Sequence, residues 1–229
     1  MSSRLIEILI SSFPQILMAG VKVTLPLAII SFALSLVIGL FLALFQIAEI
    51  PVLKQLSRFY IWIFRGTPLI VQLFIIFFGL PGLGIMLEAF PAAVLGFGLN
   101  LGAYNAEVFR SAISAVDKGQ TEAGYMIGLT YPQIMRRIVL PQSFPIAFPN
   151  LSNNLISLLK DTSLAASITV VDLFTITQQI ASRTYEPFAL YMEAAFVYLI
   201  FSTLLTWLQR YLESRMVFTS NNGKRRGLL

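Results

Sequence analysis

Histidine and cysteine are both absent from the sequence, which removes the commonest acid–base group, the thiol nucleophile, disulfides and the soft metal ligands. Carboxylates, ammonium groups, guanidinium groups and amides are left to do any chemistry. The informative ones lie in or beside apolar runs. Arg65 precedes Gly66-Thr67-Pro68, a pattern that predicts the end of one helix and the restart of another, with Thr67 as N-cap and Pro68 at the first helical position. A helix N-terminus beside a guanidinium favours an anion, and a carboxylate fits both. Further on, Lys160 and Asp161 stand side by side, followed by Thr162 and Ser163, and the Asp161 carboxylate can receive an ammonium.

Ionisable groups at membrane depth are costly and usually face a cavity, a partner or a pathway. A plainer role is open to the same residues. Arg65 with Asp161, or Lys160 with Asp161, can form a structural pair that orders packed helices, and Lys160 can snorkel to an interface. Glu107 and Arg110, three apart, are expected to pair at the inner end of a helix. Asn105 and Asn154 suit either interhelical hydrogen bonds or a polar lining. Phe74, Phe77 and Phe78 are expected to pack or face lipid, and Trp62 and Trp207 to anchor near the interfaces.

The elements that must position these groups are transmembrane helices. The composition is 57% hydrophobic and 12% charged, far more apolar than an ordinary soluble domain. About 20 apolar residues cross the roughly 30 Å hydrocarbon core, and uncharged runs occur at residues 23–48, 66–87, 89–106, 138–159 and 194–209. We predict an all-α membrane protein with five spans, at roughly 17–48, 55–80, 88–113, 146–171 and 188–212. Pro141, Pro145 and Pro149 delay the fourth. A basic tail follows from residue 218 and is expected to fray. Glu7 and Pro14 interrupt the N-terminal segment, so it is expected to be retained rather than cleaved.

Lys54, Arg58, Arg110, Lys118, Arg136, Arg137, Arg210, Arg215, Lys224, Arg225 and Arg226 follow the odd-numbered spans, whereas the opposite loops hold Arg4 and Arg183, with Lys22 at a boundary. The positive-inside rule therefore puts the N-terminus outside and the C-terminus in the cytoplasm. Residues 49–51 form a short inner turn. The net charge of +5 reports this orientation rather than a nucleic-acid partner.

One long polar stretch, residues 117–141, predicts two short helices. The first, over 119–127, is stopped by Gly128 as a left-handed cap. The second is opened by Thr130-Tyr131-Pro132-Gln133, which has capping-box spacing. Glu122 is expected near the start of the first helix, complementing its dipole, while Ala123 and Ile127 offer an apolar face.

This loop resembles the EAA loop of bacterial ABC importer permeases. Glu122-Ala123-Gly124, Gly128 and Ile138-Val139-Leu140-Pro141 match its spacing throughout; the departure is Gly124, where alanine is usual. A compact helix that docks in a groove of an ATPase is what the resemblance implies for Glu122, Ala123, Gly124, Ile127, Gly128, Ile138, Leu140 and Pro141. Consistent with a motor on another chain, no phosphate-binding loop occurs; Gly223-Lys224 lacks the preceding glycine pattern.

Phe64-Arg65-Gly66-Thr67-Pro68-Leu69, Tyr104-Asn105-Ala106-Glu107 and Lys160-Asp161-Thr162-Ser163-Leu164 resemble segments of polar amino acid permeases of the same superfamily, and residues 152–184 are particularly similar to bacterial L-cystine permeases. Relatives for glutamine, glutamate, histidine or arginine share much of the pattern. The resemblance implies a type I importer transmembrane domain over residues 1–217 that pairs with a second permease subunit, identical or closely related. It also implies an ABC ATPase subunit that holds ATP and Mg, an extracellular solute-binding protein and an amino acid substrate. The candidate residues for the substrate path, from their polar chemistry at membrane depth and the helix break, are Arg65, Gly66, Thr67, Pro68, Asn105, Asn154, Lys160, Asp161, Thr162 and Ser163. No cofactor or metal is expected on this chain, and it is not expected to be an enzyme. An ion-coupled carrier would show internal repeats and membrane-embedded carboxylates for coupling, and neither is evident. A non-transporting assembly subunit would make the loop motif accidental.

Overall fold

The computed structural model describes residues 3–48 and 50–226, with side chains through 215. Glu49, in the expected inner turn, and residues 227–229 lie outside the described residues. Among the described residues the fold is helical throughout. The first helix pair, α1 (Ser3–Ala19) and α2 (Leu25–Ile47), is joined by a π turn into one helix of 45 residues. At 1.5 Å per residue that is about 65 Å, roughly twice the hydrocarbon core, so part of it lies beyond the apolar layer. The span expected from residue 17 thus belongs to a helix that begins at Ser3, and Pro14 sits inside α1 without ending it.

After α3 (Pro51–Gly66) the chain bends by 105° into α4 (Leu69–Phe74). The long α5 (Ala89–Ser114) leads to the short α6 (Lys118–Met126) and α7 (Tyr131–Ile134). Then come α8 (Leu140–Asp161), a 3-10 turn over Thr162–Ile168, α9 (Leu173–Thr184) after a 56° bend, and α10 (Pro187–Arg226). Ser3–Ile47 and Pro187–Arg215 are long and apolar enough to cross a membrane, and each bent pair can count as one broken span. Adding α5 gives about five spans. Composition alone underrates α5, because Asn100, Asn105 and Glu107 interrupt it; it tolerates them because it is the buried centre of the fold.

Three π turns, Gly20–Thr24, Ile75–Gly79 and Met135–Val139, each end two residues before a proline, namely Pro26, Pro81 and Pro141. A proline ring crowds the carbonyl four residues earlier and offers no N–H to it. Widening the preceding turn relieves this, because Leu25, Leu80 and Leu140 donate to carbonyls five residues back, at Gly20, Ile75 and Met135. Pro145 and Pro149 lie inside α8, which begins at Leu140. The backbone of α10 is helical to Arg226, and no proline interrupts it.

Small residues let α2 and α5 approach closely. A Cβ on Gly39 would come within 2.7 Å of Asn105 Cβ, one on Gly98 within 2.6 Å of Leu34 and one on Gly102 within 2.7 Å of Ile38. Two larger clusters flank this contact. Leu27, Leu73, Phe97, Leu158 and Ile168 fill one, while Ile16, Leu159, Leu173, Leu190 and Val197 fill the other. Glu193 accepts a hydrogen bond from Ser12 Oγ at 2.6 Å and ties α10 to α1.

Candidate functional site

The predicted break before Pro68 is present, but its capping register differs. Thr67 and Pro68 are both extended, and α4 begins only at Leu69, with Pro68 itself at the N-cap position. A residue preceding proline is disfavoured in helical conformation, so the dipeptide is extended as a unit. Thr67 Oγ1 caps nothing ahead of it and donates back to Ile63 O at 2.9 Å. Carbonyls freed at the break are met by two amides that the sequence reading passed over. Gln72 Nε2 donates to Phe64 O at 3.0 Å, Thr67 O at 3.1 Å and Thr67 Oγ1 at 2.7 Å. Asn100 Nδ2 reaches the same Phe64 O and Gln72 Oε1, each at 3.0 Å. Unmet backbone groups are costly away from water, and a polar residue in the middle of an apolar run is the signal that could have found both amides.

Arg65 is exposed, with Cζ 5.2 Å from the centre of the Tyr104 ring. Its N–H groups make no hydrogen bond or ion pair within the described residues. The neighbouring carboxylate is already taken, since Glu107 Oε2 accepts from Arg110 Nε at 3.1 Å and Nη2 at 2.7 Å, and Oε1 from Gln46 Nε2 at 3.2 Å. The expected Glu107–Arg110 pair is therefore formed. Neither Arg65 nor Lys160 pairs with Asp161 within 4.0 Å. The six-residue α4 leaves the guanidinium as the main positive charge at the break.

Asn105 is wholly buried: its Nδ2 donates to Ser35 Oγ and its Oδ1 accepts from Asn154 Nδ2, both at 2.8 Å. Of the two roles open to these asparagines, the interhelical ladder joining α2, α5 and α8 is the one formed. Lys160 and Asp161 are exposed at the end of α8, whereas Thr162 is buried and donates to Leu159 O at 2.7 Å. Ser163 donates to Lys160 O at 2.8 Å. Lys160 and Ser163 line a groove of about 670 Å³ together with Phe174, Tyr191 and Tyr198.

The polar loop folds into a two-helix knob. Asp117 Oδ1 accepts from Gly119 N at 2.7 Å and is the anionic cap of α6. Glu122, expected near the helix start, is the fifth residue of α6, beyond its first turn, and is exposed. Gly128 has φ +79° and donates to Tyr125 O at 2.9 Å, the left-handed stop expected from its type. The reciprocal capping box is formed, with Thr130 N donating to Gln133 Oε1 at 2.9 Å. Gly124 is buried rather than part of a small surface: a Cβ there would lie 2.7 Å from Ile134 Cγ1. Ile138 and Leu140 are partly buried against Ile113, Ile134 and Val139, so they anchor the knob, while Pro141 opens α8 in its first turn. The tip presents Glu122, Ala123, Met126 and Ile127, the last two 88% and 74% exposed. Met126 was not expected on this face; it stands three residues from Ala123, and its type alone does not signal docking.

The family described as the inner membrane component of binding-protein-dependent transport systems matches residues 35–218. The chain is 44% identical over 206 residues to the L-cystine transport system permease protein TcyB of Bacillus subtilis (strain 168), covering 90% of this chain and 88% of that one. It is 43% identical over 215 residues to TcyL, also an L-cystine transport system permease protein of that strain, covering 91% and 90%. A solved structure described as an amino acid ABC transporter with histidines superposes with a TM-score of 0.84 at 32% identity, over 94% of this chain and all of that one. The chain belongs to the family of inner membrane components of binding-protein-dependent transport systems.

Proposed function

We propose that this chain is the permease subunit of an ATP-binding cassette importer that carries a polar amino acid, with L-cystine the favoured candidate, into the cytoplasm. The observation that carries this reading is the knob. A capped pair of short helices, locked to the spans through Ile134, presents Ala123, Met126 and Ile127 to solvent, an apolar tip left uncovered among the described residues. Helix-in-groove docking suits such a tip, and a separate ATPase subunit, which binds ATP and Mg, supplies the groove and the stroke. The spans then alternate access without chemistry on the substrate.

A second permease subunit, the same chain or a close paralogue, completes the path, and an extracellular solute-binding protein delivers the amino acid. The N-terminus lies outside and the C-terminus in the cytoplasm of a bacterial inner membrane, with the spans bathed in lipid. Arg65 receives the substrate carboxylate: its guanidinium lies over the Tyr104 ring and its N–H groups are unclaimed among the described residues, which leaves them open to a bidentate contact. Asp161, exposed and unpaired, receives the ammonium. Similarity to two permeases named for L-cystine transport favours that substrate.

Proteoliposomes holding the permease, its ATPase and its binding protein test the reading. Radiolabelled L-cystine should enter only with ATP hydrolysis, and Arg65→Ala should lower uptake while leaving assembly intact. Competition by glutamine, glutamate, histidine and arginine ranks the substrate. Uptake that persists without hydrolysis would sink the importer reading.

A further inference from the structure

We infer that Tyr104 is a positioning residue for substrate capture: its ring lies under the Arg65 guanidinium and holds it in place before the substrate arrives, with the N–H groups left for a carboxylate. The inference rests on the reading that Arg65 takes that carboxylate.

Both ends of Arg65 are constrained, and by groups on one element. The backbone at its root is bolted to α5, because Asn100 donates to Phe64 O and Tyr60 Oη donates to Leu99 O at 2.8 Å. The Phe64 ring packs on Tyr60 with centroids 4.4 Å apart. The head of the side chain then lies over Tyr104, again on α5. An arginine has many rotamers to lose on ordering, and holding it in place before the substrate arrives removes that cost from binding. A guanidinium lying over an aromatic ring is held without a hydrogen bond to a polar acceptor, so its donors stay open to a carboxylate.

The neighbouring carboxylate does not claim the Arg65 donors. Glu107 lies three residues beyond Tyr104 on α5, and Arg110 and Gln46 already fill both of its oxygens.

Uptake kinetics of radiolabelled L-cystine in proteoliposomes with the complete transporter test this, using Tyr104→Leu, Tyr104→Phe, Arg65→Ala and the double variant Arg65→Ala/Tyr104→Leu. Tyr104→Leu should raise KM roughly three- to tenfold with maximal rate and ATPase activity little changed. Tyr104→Phe should behave as the unsubstituted protein, since the ring and not the hydroxyl does the holding. In the Arg65→Ala background Tyr104→Leu should add nothing. A fall in maximal rate at constant KM, a phenylalanine variant as impaired as leucine, or additive losses in the double variant each overturn the inference. Arg65→Ala without effect strikes the carboxylate reading beneath it; Arg65→Ala impaired while Tyr104→Leu is normal strikes this inference alone. Should Tyr104→Leu not assemble, Tyr104→Met is read in the same way, and if L-cystine is not taken up the comparison is made with L-glutamine.

Discussion

Gly124 and Ile127 stand three residues apart in the knob, one buried and the other exposed, which separates folding from docking at single positions. Gly124 is under the helix: a methyl there meets Ile134, which is β-branched, fully buried and unable to retreat. Gly124→Ala gains up to about 1 kcal/mol of helix propensity but overpacks the site at about 1–3 kcal/mol. We expect a net loss of stability, seen as a lower midpoint for thermal unfolding in detergent. Ile134→Ala alone should cost about 2–5 kcal/mol, and the double variant should lose less than the sum because the two share one space. An additive result would show that Gly124 does not pack where the structure puts it. Ile127 is the converse. Ile127→Asp at a 74% exposed site should change stability by no more than about 0.5 kcal/mol yet abolish co-purification with the ATPase; retained association would move the docking face elsewhere.

Helix breaks are the elements at which sequence and structure part company. The break at Gly66-Thr67-Pro68 was legible from residue types, as were the left-handed stop at Gly128 and the capping box at Thr130, because each is decided by backbone sterics or hydrogen bonds a few residues long. What lay beyond reach was the answering partner. Prolines 26, 81 and 141 were visible, but the widened turn before each was not, and Gly124 looked like a surface residue because its neighbour comes from the next helix. Gln72 and Asn100 were visible as polar letters in apolar runs, with nothing local to say that they meet at Phe64 O. Their removal tests the account of the break. Gln72→Leu and Asn100→Leu should each destabilise the purified protein by about 1–3 kcal/mol through unmet carbonyls, and the pair by less than the sum. Wild-type melting in both single variants would mean that water, not these amides, satisfies the break.

At the scale of the whole molecule the helices run between two ends, and the structure groups residues at each. Arg4 Nη2 donates to Thr184 O at 3.3 Å, so the start of α1 and the end of α9 share one end. Gln120 accepts from Gln142 at 3.2 Å within the knob, after α5 has carried the chain away. The charge bias assigns these ends to opposite sides of the membrane: Arg4 and Arg183 are sparse cations at one, whereas Lys118, Arg136 and Arg137 surround the knob at the other. Because the chain has no cysteine, any introduced one is a unique reporter of side. Ser3→Cys, Arg183→Cys and Lys118→Cys replace exposed residues and should leave stability unchanged. With a membrane-impermeant maleimide, intact cells should label the first two and spare Lys118→Cys until the membrane is opened. A knob that labels in intact cells would place it on the wrong face for any cytoplasmic ATPase, and the coupling mechanism would fail with it, whatever the fold.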